Sequence, residues 1–364
     1  MSSSLPRRLA VLVVFVALVA GACASGATSP SPTGSAGPSG DASAPAPATG
    51  SPAAPSVSAA PVKLVVGLGY IPSVQFAPFY LADQAGYYAD AGLSVEFQNK
   101  IDPDLITLVG QGAIDIGIGD GTSVIPAASQ GIPVRYIATL YGQFPDIVFA
   151  KASSGITRAA DLKGKRIGTP GRYGGGWVML QALLGSAGLT TNDIDVVEYP
   201  DFTQRAAIEQ GAVDAATGFS NNEPVQLELD GTKAVVLHVD QITPLPGPGL
   251  IAAAKTLTDR HDAVVRFVAA TLRAMNAIKL NPQVGLDAAI KTVPELGSAR
   301  DAQLAILNAT IDSWTGPVQV ASGLGAIDRD GWTRSIAYLT TLGLVPKPVT
   351  VDDLVQDGFV PTGG

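Results

Sequence analysis

From Val62 onward, short aliphatic runs alternate with helix-length stretches that stop at glycine, and the alternation occurs twice in succession. Parallel strands need long crossover connections, so this punctuation dictates βαβ units and a largely parallel sheet. In the first series 63–69 reads as a strand and 79–86 as a helix ended by Gly86, with a second strand at 94–97. The stretch 103–112 is helical, with Leu105, Leu108 and Val109 at core spacing, and 114–119, 122–130 and 134–140 follow as strand, helix and strand. A second series begins near Ile147: strands at 166–169, 195–198, 215–218 and 235–238, with helices at 174–187 and 204–210. The run Pro246-Gly247-Pro248-Gly249 then breaks the chain before the apolar residues 250–253. Beyond it the pattern is helical, at 261–280, 284–291, 302–314 and 330–342.

Two α/β units of about a hundred residues predict two lobes. The helical tail has no sheet of its own and is expected to pack back on the first lobe. Lobe one then comprises 62–144 plus 249–364, lobe two 145–248, and the crossovers near Pro145 and Pro248 would be hinges.

The upstream segment is of another kind. Arg7 and Arg8 precede the apolar run 9–20, and the small residues Gly21 and Ala22 lead into Cys23. A positive start, a short apolar stretch and a small-residue cleavage site make an export signal over 1–22, too short for a membrane span. Residues 23–61 then consist almost wholly of Ala, Ser, Pro, Gly and Thr, a composition that cannot bury enough apolar surface to fold, and are expected to be a disordered tether. Cys23 is the only cysteine, which excludes an internal disulfide and a cysteine nucleophile in the folded body. The formal net charge of −8 argues against nucleic acid or an anionic membrane surface as a partner.

In open α/β sheets, ligands bind beyond the carboxyl ends of strands. That rule selects four loops: 69–76, 119–123, 170–177 and 219–223. In the last, Asn221 and Asn222 offer donors and acceptors and Glu223 a strong acceptor, a set suited to the edge of a polar heterocycle. The same residues also fit an ordinary turn with Glu223 in the first turn of the next helix. Tyr70, Phe76, Tyr141, Tyr173 and Trp177 offer flat faces for stacking, with Trp177 equally able to plug a core. Gln75 and Asp120 supply further polar groups. Gly174 and Gly175, with Arg172, can cradle an anion or a polar tail, or simply let a helix approach its strand; the spacing matches neither a P-loop nor a dinucleotide fingerprint. The two histidines, His238 and His261, form no metal-binding pair, and no metal or cofactor is expected.

Several of these motifs together resemble a known family. Gly69-Tyr70-Ile71-Pro72, the run Gln75 to Tyr80 and Gly86 to Leu93 are similar to solute-binding lipoproteins of ABC importers, as are 110–117, 161–168 and 211–215. Ala20-Gly21-Ala22-Cys23 resembles a lipobox, with Ala20 where Leu is usual, which implies lipidation at Cys23 and anchoring to the bacterial cell membrane. The resemblance covers about 62–314 and points to the NMT1/THI5-like branch that binds thiamine-precursor pyrimidines, sulfonates and riboflavin. Gly218 to Pro224 with Gly69 to Pro72 is most similar to the riboflavin-binding members. It implies a two-lobed, type II periplasmic-binding-protein-like α/β fold. The implied partners are a small heteroaromatic ligand and a membrane permease, and the chain is expected to act as a monomer. A related branch of enzymes makes the thiamine pyrimidine with a cysteine cluster and a histidine, which the cysteine-free body lacks. A secreted hydrolase or lyase using Asp120 and Glu223 stays open as a different class. The loops hold one cation, Arg172, against Asp120 and Glu223, which favours a neutral ring system over a multiply charged anion.

Overall fold

The computed structural model describes residues 60–100, 104–240, 242 and 245–361. The expected export signal, Cys23 and the tether as far as residue 59 lie outside the described residues. The strands are β1 (Val62–Gly67), β2 (Leu93–Gln98), β3 (Ile116–Gly119), β4 (Val134–Thr139), β5 (Asp146–Lys151), β6 (Arg166–Thr169), β7 (Asp195–Glu198), β8 (Ala215–Phe219), β9 (Ala234–His238) and β10 (Gly249–Ala253). They form two five-stranded sheets, in the orders β2-β1-β3-β10-β4 and β7-β6-β8-β5-β9.

Each sheet is mixed rather than all parallel. In the first, β10 runs antiparallel between β3 and β4; in the second, β5 runs antiparallel between β8 and β9. The cause is the double crossing. The chain enters each lobe from the side facing the other lobe, where the parallel strands end, so the entering strand must run the opposite way. The register shows it: the first residue of β5, Asp146, lies opposite the last of β8, Phe219, and Gly249 of β10 lies opposite Gly119 of β3. The two crossovers touch, with Leu140 N and Tyr141 N both donating to Pro248 O at 3.0 and 2.9 Å.

Local chemistry sets the helix starts beside these strand ends. Ser73 accepts from Gln75 N at 3.3 Å and opens a short 3-10 turn, Val74–Phe76, that leads into the helix Ala77–Gln84. Asp120 caps the helix Gly121–Ser129 by accepting from Ser123 N at 2.9 Å. Farther on, Asn281 accepts from Gln283 N and Pro282 takes the first helical position of Pro282–Thr292.

The tail packs on the first lobe. The helix His261–Leu280 buries its apolar face against Ala77–Gln84, and Phe267 stacks on Tyr88 with ring centroids 5.0 Å apart and planes 4° from parallel. Tyr88 and Thr271 share a hydrogen bond of 2.9 Å in this core. Later, Trp332 of the helix Arg329–Thr341 meets Tyr136 of β4 edge to face at 4.9 Å. The tail also reaches the second lobe: the Tyr338 hydroxyl donates to Ala182 O at 2.8 Å.

Candidate functional site

The carboxyl ends of β1 and β3 face those of β6 and β8, and between them lies a cavity of about 1310 Å3, its mouth to solvent included. Its volume admits a drug-sized ligand. From the first lobe and tail come Tyr70, Gln75, Phe76, Phe79, Asp120, Tyr141 and Trp314; from the second lobe Asp146, Tyr173, Trp177, Phe202, Gln204, Phe219, Asn222 and Glu223, with the backbone of Gly174–Gly176. Among the described residues, the lining contains no Lys, Arg or His.

The polar groups are held, each in its own way. Asp120 is buried, and its Oδ1 accepts from Ser123 N and from Thr122 Oγ1 at 2.6 Å. Burial pushes its carboxyl above the ordinary range, while those hydrogen bonds pull it back. Its other oxygen faces the second lobe, where a Cβ placed on Gly175 would stand 2.6 Å from Asp120 Oδ2 and 2.9 Å from Thr122 Oγ1. The glycine there is what lets the helix Gly174–Ser186 come this close. Glu223 opens the helix Glu223–Leu229 and folds back on its own loop, accepting from Phe219 N at 2.7 Å and from Asn222 Nδ2 at 3.1 Å. Burial raises its pKa too, against those bonds. Asn222 is fixed from behind by Gln226 Nε2, 2.8 Å from its Oδ1. A Cβ on Gly218 would lie 2.6 Å from Glu223 Oε2, so this carboxylate packs directly over the end of β8.

The aromatic groups divide between rigid and poised. Tyr141 is buried with its hydroxyl beside Thr310 and Asn221, and burial raises its pKa. Phe76 lies in a cluster with Phe79 and Tyr80, centroids 6.5 Å apart in both pairs. Tyr70 is half-buried and meets Phe202 of the other lobe edge to face, 4.9 Å between centroids at 84°. Its hydroxyl pKa is raised by burial first and by the charge of Glu223 second.

Nine of the ten residues expected to touch a ring or its edge line the cavity, all but Asn221. Asn221 is a correction. Its side chain turns away and donates to Thr310 Oγ1 of the tail at 2.7 Å, so it braces the second lobe against the helix Arg300–Ser313. Arg172 is a second correction: it leaves the cavity for Glu198, at 3.0 Å, and lies over the Trp177 ring at 5.6 Å from its centroid. Gly174 and Gly175 line the cavity through their backbone. Asp146 and Phe202 were not anticipated. Asp146 starts an antiparallel strand, so a rule that inspects strand carboxyl ends passes over it. Phe202 follows β7, and the rule applied to that strand end selects it.

A family model described as NMT1/THI5 like matches residues 73–284. The riboflavin-binding protein RibY of Chloroflexus aurantiacus is 33% identical over 306 residues, which are 83% of this chain and 87% of that protein. A 4-amino-5-hydroxymethyl-2-methylpyrimidine phosphate synthase of Legionella pneumophila is 28% identical over 184 residues, 50% of this chain and 57% of that one. Among solved structures, the alkanesulfonate-binding protein SsuA of Xanthomonas axonopodis pv. citri, bound to MOPS, superposes with a TM-score of 0.64 at 19% identity, over 82% of this chain and 100% of the other. This last likeness is one of fold.

Proposed function

The chain belongs to the NMT1/THI5-like family, and from that premise we propose that it is the extracytoplasmic solute-binding component of an ABC importer, taking a flat, uncharged heteroaromatic vitamin, riboflavin first, between its lobes. The observation that carries this reading is the composition of the cleft. Aromatic rings enter it from both lobes, and Asp120, Asp146 and Glu223 are in its lining, which among the described residues holds no Lys, Arg or His. An anionic ligand would meet carboxyl groups and no cationic side chain in the lining, whereas a neutral ring with polar edges meets stacking faces and hydrogen-bonding groups. RibY, named for riboflavin, is the relative that shares most of this chain's length at the highest identity among those compared above.

A thiamine-precursor pyrimidine is the second reading, supported by the relatives named as its synthases. Capture rather than catalysis is the chemistry we assign. His238 and His261 are both outside the cavity lining, and Asp120 and Glu223 already accept backbone N–H groups. The lobes would close about the paired crossovers at Tyr141 and Pro248, and the closed form would engage a permease. Lipidation at Cys23 would keep the protein at the membrane.

The test of the ligand is a fluorescence titration of the purified chain with riboflavin and with its 5′-phosphate. Saturable one-to-one quenching by riboflavin, with the phosphate bound at least ~10-fold more weakly, about 1.4 kcal/mol, is expected. Tight binding of the aminopyrimidine with none of riboflavin would move the assignment to the second reading. For the anchor, Cys23→Ser should move the protein out of the membrane fraction; retention there would count against lipidation.

A further inference from the structure

Among the described residues, Phe202 is the one non-glycine residue with a left-handed backbone, φ +59°. Side chains are disfavoured in that region, and a bulky aromatic there is an outlier. Its place explains the conformation but not the choice of residue. Phe202 N donates to Tyr199 O at 3.0 Å, which makes it the fourth residue of a turn that ends β7, where glycine is the residue of least strain.

Core packing does not account for the phenylalanine either. Phe202 is half-buried and belongs to neither hydrophobic cluster of its own lobe. Its ring instead reaches the cavity and lies edge to face against Tyr70 of the first lobe. A strained position held by neither its turn nor its core is the pattern expected where the side chain serves a ligand. Resting on the reading that the ligand is a flat heteroaromatic, we infer that Phe202 is a ligand-contacting, specificity-determining residue: the second lobe's aromatic jaw, which meets the ligand beside Tyr70. It thereby selects for ligands with an extended flat face.

This predicts a separation of stability from binding at one position. Phe202→Gly relieves the backbone and removes the ring. Thermal melting and riboflavin titration of the full chain should show Phe202→Gly melting no lower than the parent while its Kd rises at least ~10-fold. Phe202→Tyr, which keeps the ring face, should stay within about threefold. Phe202→Leu, which keeps bulk without a π face, should fall between them. Phe202→Gly binding as tightly as the parent overturns the inference, and so does a loss of affinity accompanied by a fall in melting temperature that Phe202→Tyr does not restore. If the parent takes up no riboflavin, the reading of the ligand fails and the role given to Phe202 fails with it. Parent binding with an unaffected Phe202→Gly defeats the inference alone.

Discussion

The two lobes share a plan and differ in how they build their half of the cleft. Both sheets have five strands in the same kind of order, with one antiparallel strand in the fourth place. The first lobe presents side chains fixed by a large core. Phe76 is packed among rings, Tyr141 is tethered through Thr310, and the tail helices stand behind them. The second lobe presents backbone and strain instead: three successive glycines at a helix start, a carboxylate folded on its own loop and Phe202 in a left-handed turn. The contrast assigns a platform to one lobe and a close-fitting jaw to the other, since only a wall without β-carbons can approach Asp120 within contact distance.

The sharpest way to break that contrast is to put a side chain on the jaw. Asp120 is held by two hydrogen bonds and cannot retreat, so a β-branched residue at 175 must keep the lobes apart. Gly175→Val is expected to weaken riboflavin capture ~100-fold, about 2.7 kcal/mol, with melting nearly unchanged because the clash is between lobes rather than within one. Scattering should show a larger radius for the variant with ligand than for the parent with ligand. Equal affinity would mean that the jaw does not seat on Asp120.

A smaller effect is expected at Glu223, where binding and stability should move in opposite directions. Burial holds its folded-state pKa above the ordinary 4.5, so the charged form is the disfavoured one in the folded protein. That penalty is full above the folded pKa and fades as pH falls through it toward the unfolded value. Glu223→Gln should therefore melt at or above the parent at pH 7, and the parent should gain on it as the pH approaches 4.5. Loss of a charged acceptor should weaken riboflavin capture by roughly 1.5 kcal/mol. A variant that melts lower at pH 7 and closes no gap on acidification would make Glu223 a structural clasp only.

Much of this was legible in the sequence because strands and helices here follow simple periodicity. The strands Arg166–Thr169 and Asp195–Glu198 and the helix His261–Leu280 keep the limits that their patterns predict. The loops at strand ends were legible for the same reason, and Tyr70, Asp120, Asn222 and Glu223 follow from them. Direction was not. A run such as 146–151 looks the same in either orientation, so the antiparallel course of β5, and with it Asp146 in the cleft, depends on the double crossing. Nor does sequence reveal which neighbour an amide will choose. Asn221 and Asn222 are adjacent and alike, yet one meets Thr310, eighty-nine positions away, and the other faces the cavity.

Arg172 gives the smallest effect, and it tests whether the jaw works by backbone rather than by charge. Read in sequence, it is the one cation of the four loops; in the fold its guanidinium is spent on Glu198 and the outer face of Trp177. Both partners of the ion pair are about half exposed, and such pairs contribute below ~1 kcal/mol. Arg172→Ala should accordingly leave riboflavin affinity within about twofold and stability within ~1 kcal/mol. The 5′-phosphate provides the stricter control, because a cation that reached the cavity would favour it over riboflavin. If Arg172→Ala weakens the phosphate more than the parent vitamin, the side chain does swing into the cleft. If both move together or not at all, the charged groups of the lining are Asp120, Asp146 and Glu223, and its preference for uncharged rings belongs to them.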